Sequence, residues 1–413
     1  MFEPYQPDIS KDDPGPTWPF ILVGLLLVAA LAAGGVWFWF HRDVSVTING
    51  RTVNVTYRSS FDDVCAAAGV EPKSGDLYSI TGNLIGVGRG EPYTVTLDGS
   101  ELTDDELRTV AVEGFERITV TNGGDVTEEY KIVEHEVLPQ LVPPISVRSV
   151  TFVRQWGICG TGRFRVGVVS GEEILEEVIQ APQNCILDSV NPKPSEGRML
   201  VCLTFDDGPS AYTADILKIL KDKGVRATFF CPGYCAENWP ETTASIQAAG
   251  CEVMSHTMNH WNHFETTPEE TYAEVSEGFA VLHDYAGVNT TVIRPPYGNW
   301  NEHCWLSTRG AMSASIIWNV DSHDWDEPGA KVIIDICTNG IDSGDIILMH
   351  DGGGDREQTI EALPIIIDKL REQGFEFVTV SELMASDPRI PSAVACRYAP
   401  MPEECAWPTE ITE

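Results

Sequence analysis

Met199-Leu-Val-Cys-Leu-Thr-Phe-Asp-Asp-Gly-Pro-Ser210 sets an apolar run of strand length directly against two carboxylates and a Gly-Pro turn. Further runs of strand length follow at Arg226–Phe230, Cys251–Ser255, Thr291–Ile293, Ser313–Val320, Asp345–Met349 and Phe375–Val380. Helical patterns lie between them at Thr213–Lys223, Pro268–Tyr285 and Gln358–Gln373, the last with Ile360, Leu363, Ile367 and Leu370 on one side. Strands alternating with helices predict parallel strands joined by crossovers. Residues 198–385 are therefore expected to form an α/β distorted (β/α)7 barrel.

The ionisable residues fall at the carboxyl ends of these runs. Asp206 and Asp207 follow the first, His256 the third, Arg294 the fourth, Asp321 and Asp324 the fifth, and His350 the sixth. In a parallel barrel those ends share one rim, where catalytic groups collect. His256 and His260 are spaced i, i+4, which on a helical turn puts both imidazoles on one face, and Asp207 could complete three metal ligands with one position left for water. Alone, such a histidine pair is as well explained by the surface, and Asp-Asp-Gly-Pro by a turn; together at neighbouring strand ends they favour a metal. Adjacent carboxylates diverge, so Asp207 can face the metal while Asp206 faces the water as its base. His263, close by, reads as a bystander.

Working outward, Asn191–Gly197 (residues 191–197) reads as a linker by its prolines and glycine. Residues 129–190 read as a small glycine-containing β module, a wall binder or a spacer. Over 43–128, Val44–Thr56 alternates apolar and polar residues around Asn49-Gly50, a strong hairpin signal, followed by a helical stretch and more strands. That order resembles a ubiquitin-like β-grasp module. Trp18–Phe40 (18–40) carries no charge and is long enough for a transmembrane helix, and the acidic residues before it argue for an uncleaved anchor over a signal peptide. Residues 1–17 read as a disordered tail and 386–413 as a C-terminal tail. The whole is a multi-domain chain.

Acidic residues outnumber basic ones 62 to 27, a formal charge of −35, which repels phosphate backbones and excludes nucleic acid as a partner. Hydrophobic residues at 43 % are enough for packed cores. Eleven cysteines suggest an oxidising compartment, with Cys159–Cys185, Cys231–Cys235 and Cys396–Cys405 as expected disulfides.

Thr204-Phe-Asp-Asp-Gly-Pro-Ser, Ser255-His-Thr-Met-Asn-His, Arg294-Pro-Pro-Tyr-Gly, Asp321-Ser-His-Asp-Trp and Leu348-Met-His350 together resemble, in family order, the five motifs of the polysaccharide deacetylases, carbohydrate esterase family 4 or the NodB-homology domain. The resemblance covers residues 198–385. It implies that Asp206 is the general base and that Asp207, His256 and His260 hold Zn2+, with Co2+, Ni2+ or Mn2+ able to occupy the same ligands. It implies that Arg294 tethers Asp206, that the Tyr297 backbone N–H donates to the oxyanion, and that Pro295 and Pro296 belong to the substrate-binding loop. His350 would be the general acid with Asp324 as its partner, Trp325 and Leu348 would line a slot for the acetyl methyl, and Arg226 would brace Asp324. The sequence departs from the usual pattern at Trp261, where many members carry proline.

The implied reaction is metal-dependent hydrolysis of the N-acetyl group of an amino-sugar polymer, with N-acetylglucosamine of peptidoglycan the preferred substrate. The expected setting is a single-pass cell-membrane protein whose catalytic domain lies outside the cytoplasm. The alternatives are a deacetylase of chitin-like oligosaccharides, a hydrolase of a small amide, and a catalytically silent wall-binding protein.

Overall fold

The structure, a computed structural model, describes residues 18–412. The tail expected over 1–17 lies outside the described residues. Trp18–Phe40 is one 23-residue helix, and none of the segment Leu22–Phe40 is buried. By length and composition it could cross a membrane.

The remaining chain divides into two compact units, the first running to Val133 with Phe164–Glu176 added, the second holding Glu134–Arg163 and everything from Glu177 onward. In the first, Asp43–Ile48 and Arg51–Thr56 pair antiparallel, and Asn49 and Gly50 take the φ of 46° and 78° that a tight two-residue hairpin needs. Ser60 and Asp63 form a reciprocal cap that starts the helix Phe61–Ala68. That helix lays Phe61, Val64 and Ala68 on Val46, Ile48 and Ile118 of a five-stranded sheet.

In the second unit the strands Val320–Asp321, Ile346–His350, Leu200–Asp206, Thr228–Cys231, Glu252–Ser255, Val292–Ile293 and Ala314–Ile316 lie side by side in that order, all parallel. The first and last of these are joined in the chain only through Ile317, Trp318 and Asn319, so the sheet must curl back on itself: a distorted barrel. The strand expected at Ser313–Val320 is thus split between the two ends of the ring. Glu376–Phe377 adds a short strand on Leu200–Val201, and the rest of the run Phe375–Val380 is consumed as Thr379 caps a helix at Val380–Ser386. Alternation along Leu200–Asp206 sends Val201, Leu203 and Phe205 outward to helices such as Thr213–Lys223 and Glu357–Glu372. Leu200 and Cys202 point the other way, into a core with Phe230, Met254 and Ile346.

Residues 129–190 do not form one module: Tyr130–Val137, Gly160–Gly167 and Glu173–Gln180 make a three-stranded sheet of their own, and the other strands join the barrel. Val150–Gln155 pairs antiparallel with Ala314–Ile316 and carries Cys185–Val190 and Leu141–Val142 on its far side, extending the barrel sheet. Val153, Cys185 and Leu187 bury themselves with Ile293, Trp305 and Met312, so the apolar faces expected to close a small domain instead cover the barrel. Within the expected C-terminal tail, Val394 and Ala395 are buried, and Trp407 Nε1 donates to the Leu306 carbonyl at 2.9 Å. All eleven cysteines are free thiols, which removes the three expected disulfides. Burial pushes the Cys185 thiol up to about 12 and the Cys235 thiol to about 11, the behaviour of packed apolar groups.

Candidate active site

The alternation that points Leu200 and Cys202 into the barrel also carries Thr204 and Asp206 to its interior at the carboxyl end. Asp206 is 2 % exposed and faces Arg294, itself fully buried at the end of the Val292–Ile293 strand. Arg294 Nη1 donates to Asp206 Oδ1 at 2.7 Å and to Thr204 Oγ1 at 2.8 Å, and its guanidinium lies 4.0 Å from the centroid of the Phe230 ring. Burial draws the Arg294 pKa down, and the charge and hydrogen bond of Asp206 oppose that shift.

Asp207 leaves the strand with φ of 70°, a left-handed turn that breaks the alternation. Two adjacent carboxylates thereby reach the same cleft instead of opposite faces. The turn is crowded: a Cβ at Gly208 would stand 2.0 Å from Asp351 Oδ2, so glycine is needed there.

His256 follows Glu252–Ser255, and its Nδ1 lies 2.7 Å from the Arg294 carbonyl. A carbonyl only accepts, so Nδ1 carries the proton and Nε2 presents a lone pair to the cleft. His256 Nε2 stands 3.4 Å and His260 Nε2 3.1 Å from Asp207 Oδ1, with the two rings 4.9 Å apart. The helical turn expected to align the imidazoles is absent; Thr257 and His260 both have positive φ, and a loop does the work. That loop hangs on Glu274, a buried carboxylate of the Pro268–Ala286 helix, which accepts from Thr257 Oγ1, Asn259 N and Asn259 Nδ2 at 3.1, 2.8 and 2.6 Å.

Asp207, His256 and His260 fit a divalent ion by their donor chemistry. Their ligand atoms lie within 4.8 Å of one another, and Asp207 Oδ1 is buried without a hydrogen-bond partner. Burial raises the Asp207 pKa, but the two histidines close to its carboxylate outweigh that effect and hold the carboxyl far below its ordinary range. The Arg294 carbonyl orients His256 as the outer partner of a metal-bound imidazole does.

Across the cleft, His350 ends the Ile346–His350 strand beside Asp206. Its Nδ1 is 2.7 Å from Asp324 Oδ1, and Asp324 Oδ2 accepts from the His350 N–H at 2.9 Å and Thr359 Oγ1 at 2.8 Å. Burial pulls the His350 pKa down, but the Asp324 bond and charge overcome it and raise it above the ordinary value. Burial likewise opposes the Asp324 charge, and the His350 contact holds that carboxyl below its usual range. The bracing arginine is not Arg226, which precedes its strand and so sits at the opposite end, paired with Glu382 at 2.7 Å. Arg356 takes that place, Nη1 donating to the Asp324 carbonyl at 3.2 Å.

A cleft of about 380 Å³ joins these groups, lined by Asp206, Asp207, His256, His260, His350 and Tyr297 on the polar side and by Trp318, Trp325 and Leu348 on the apolar side. Tyr297 sits at its edge with φ of 60°. Pro295 and Pro296, expected at the substrate, are buried behind it and shape the turn without lining the cleft. His263 is buried against Trp300 with neither ring nitrogen hydrogen-bonded, and burial lowers its pKa to about 4. Sequence reasoning missed Glu274, Thr359 and Arg356, and gave no role to the cleft-lining Trp318 or to Asp321, which it had placed on the rim. Asp321 had a signal, its place inside a strand-end motif; its Oδ1 accepts from Trp325 Nε1 at 3.3 Å.

A candidate metal centre flanked by a carboxylate and an imidazole is the equipment of a metal-assisted hydrolase. The model of the polysaccharide deacetylase family matches residues 193–311. A peptidoglycan-N-acetylglucosamine deacetylase of Bacillus cereus is 34% identical over 188 residues, 45% of this chain and 88% of that one. A chitooligosaccharide deacetylase of Sinorhizobium fredii is 33% identical over 196 residues, again 45% of this chain, and 91% of that one. A solved family 4 carbohydrate esterase from Streptomyces lividans has 31% identity, covering 43% of this chain and 90% of that one, with a TM-score of 0.41. This chain belongs to the polysaccharide deacetylase family and is a hydrolase of carbon–nitrogen bonds other than peptide bonds.

Proposed function

We propose that the chain removes acetyl groups from the N-acetylglucosamine of peptidoglycan while its N-terminal helix holds it to the outer face of the cell membrane. The observation that carries this reading is the meeting of Asp206, Asp207, His256, His260 and His350 in one cleft. The name of the Bacillus cereus relative supports the sugar.

Asp207, His256 and His260 would hold the ion, with zinc suited to two imidazoles and one carboxylate. When bound, such an ion polarises a carbonyl and lowers the pKa of water to about 7. Asp206, held by the hydrogen bond from Arg294, takes the proton of the attacking water as the new C–O bond forms. The Tyr297 backbone N–H donates to the developing oxyanion, a contribution of about 10²–10³ in rate. His350, aimed by Asp324, gives its proton to the sugar nitrogen as the C–N bond breaks, leaving acetate and a free amine. Trp325 and Leu348 exclude water around the methyl group.

The test is mass spectrometry of wall digests treated with the full-length chain: muropeptides should lose one acetyl mass from the glucosamine. Loss from the muramic acid instead would overturn the sugar assignment. The Sinorhizobium fredii relative motivates a second reading, chitin-like oligosaccharides, which predicts acetate from those oligomers and none from wall. The uncharged, unburied helix supports an anchor; recovery of the intact N-terminus in carbonate-washed membranes is expected, and a chain cleaved after the helix would refute it. We also assign residues 43–128 to a β-grasp-like module, on the order hairpin, helix, then further strands that bring the hairpin's sheet to five.

A further inference from the structure

His260 sits on a dividing wall. On one side is the cleft with Trp325 and Leu348; on the other is a second hollow lined by Trp261, Asn262, Glu265, Thr266 and Glu270, and both hollows share His260 and Tyr297. The left-handed backbone at His260 (φ 59°) turns the chain so that the two neighbours point to different surroundings. His260 faces Asp207, while Trp261 is 46% exposed. Tyr297, packed edge-on to His260 with 4.7 Å between ring centroids, is 62% exposed on the shared rim, and Trp325 is 51% exposed across the cleft.

The segment carrying Trp261 is held in place without a ligand. Asn299 Nδ2 donates to Asn262 Oδ1 at 3.0 Å, Asn262 Nδ2 donates to Glu265 Oε1 at 2.8 Å, and the Glu265 N–H meets the Asn262 carbonyl at 3.0 Å. An indole left half in water on an ordered loop is an apolar face without a partner. A pyranose has the complementary form, an apolar C–H face with hydroxyls around its rim, and the carboxamides and carboxylates beside Trp261 can bond such hydroxyls.

We propose that Trp261 forms a subsite that binds a neighbouring sugar of the same glycan whose acetyl group lies in the adjoining cleft. The inference rests on the deacetylase reading above and adds a second sugar position on the Trp261 side of the candidate metal centre. The continuity of the two hollows through His260 and Tyr297 favours this occupant over an unrelated ligand. Trp261 binds without touching the reacting atoms, so its contribution belongs in affinity for longer chains.

The test uses full-length, zinc-loaded protein carrying Asp206→Asn to stop turnover, and compares Kd for the dimer and tetramer of β-1,4-linked N-acetylglucosamine by calorimetry. The tetramer is expected to bind about tenfold tighter, about 1.4 kcal/mol. Adding Trp261→Ala should reduce that gain to less than about twofold, and Trp261→Phe, which keeps an aromatic face, should restore most of it. Bound zinc per chain, measured on each variant, separates loss of the subsite from damage to the neighbouring His260. A gain equal with and without Trp261, or no gain in the parent, overturns the proposal. Acetate release by the native chain is measured in parallel: a Trp261-dependent gain with no acetate would sink the proposed activity and leave the subsite standing.

Discussion

The two sides of the cleft hold their charges differently. On one, Arg294 is fully buried and reaches Asp206 through Nη1 alone, while its Nε and Nη2 have no hydrogen-bond partner. On the other, Asp324 is as deeply buried, yet both its oxygens are engaged, by the His350 ring, the His350 N–H and Thr359. Unpaired polar groups in the interior cost stability, whereas saturated networks rigidify. The Asp206 side therefore accepts an unfavourable environment to place a guanidinium against a carboxylate; the His350 side fixes the orientation and charge of an imidazole.

The contrast between the two sides is most sensitive at Asp206. Asp206→Asn removes the base and should lower kcat by about 10²–10⁴ while leaving the bound metal unchanged; a rate near that of the parent would refute the base assignment. Arg294→Met should be the most damaging change to the fold, because it leaves a buried carboxylate unpaired at a cost of about 3–5 kcal/mol, read from denaturant unfolding. Stability unchanged by Arg294→Met would mean that the buried pair is not held as described.

The His350 side is sharpened by pH. Its raised pKa keeps the imidazolium, the form that donates, present above the ordinary histidine range, so kcat should fall on the alkaline side as pH rises through that pKa. Asp324→Asn keeps a hydrogen-bond partner but removes the charge; the alkaline limb should move to lower pH, with kcat down about 10²-fold. A limb that stays in place would mean that the Asp324 charge does not set the His350 pKa. Thr359→Val deletes one of the bonds to Asp324 and should cost about 0.5–1.5 kcal/mol, with a smaller shift of the limb in the same direction that Thr359→Ser reverses.

Most of the rim is legible in the amino-acid sequence. Strand-length apolar runs ending in Asp206, His256, Arg294 and His350 are local patterns, and parallel topology brings their ends together. The helical turn expected for His256 and His260 was not borne out, because spacing alone cannot distinguish a helix from a loop with two positive-φ residues held by a distant carboxylate, Glu274. Thr359, Arg356 and Glu274 were missed for one reason: each acts on a partner 15 to 35 residues away, and nothing in its own neighbourhood marks it. Residues 129–190 misled in the opposite way. Their strands have the alternation of an independent β module, and only the antiparallel contact of Val150–Gln155 with Ala314–Ile316 reveals that Leu141–Val142, Val150–Gln155 and Cys185–Val190 extend the barrel sheet.

The proposed chemistry depends on Asp207, His256 and His260 gripping one ion beside Asp206. The most direct measurement is metal content and acetate release, assayed together on full-length protein before chelation, after chelation and after zinc is returned. One zinc per chain, acetate lost with the metal and regained with it, and no zinc retained by His256→Ala are the expected results. A chelated, metal-free chain that releases acetate at the full rate would contradict that chemistry.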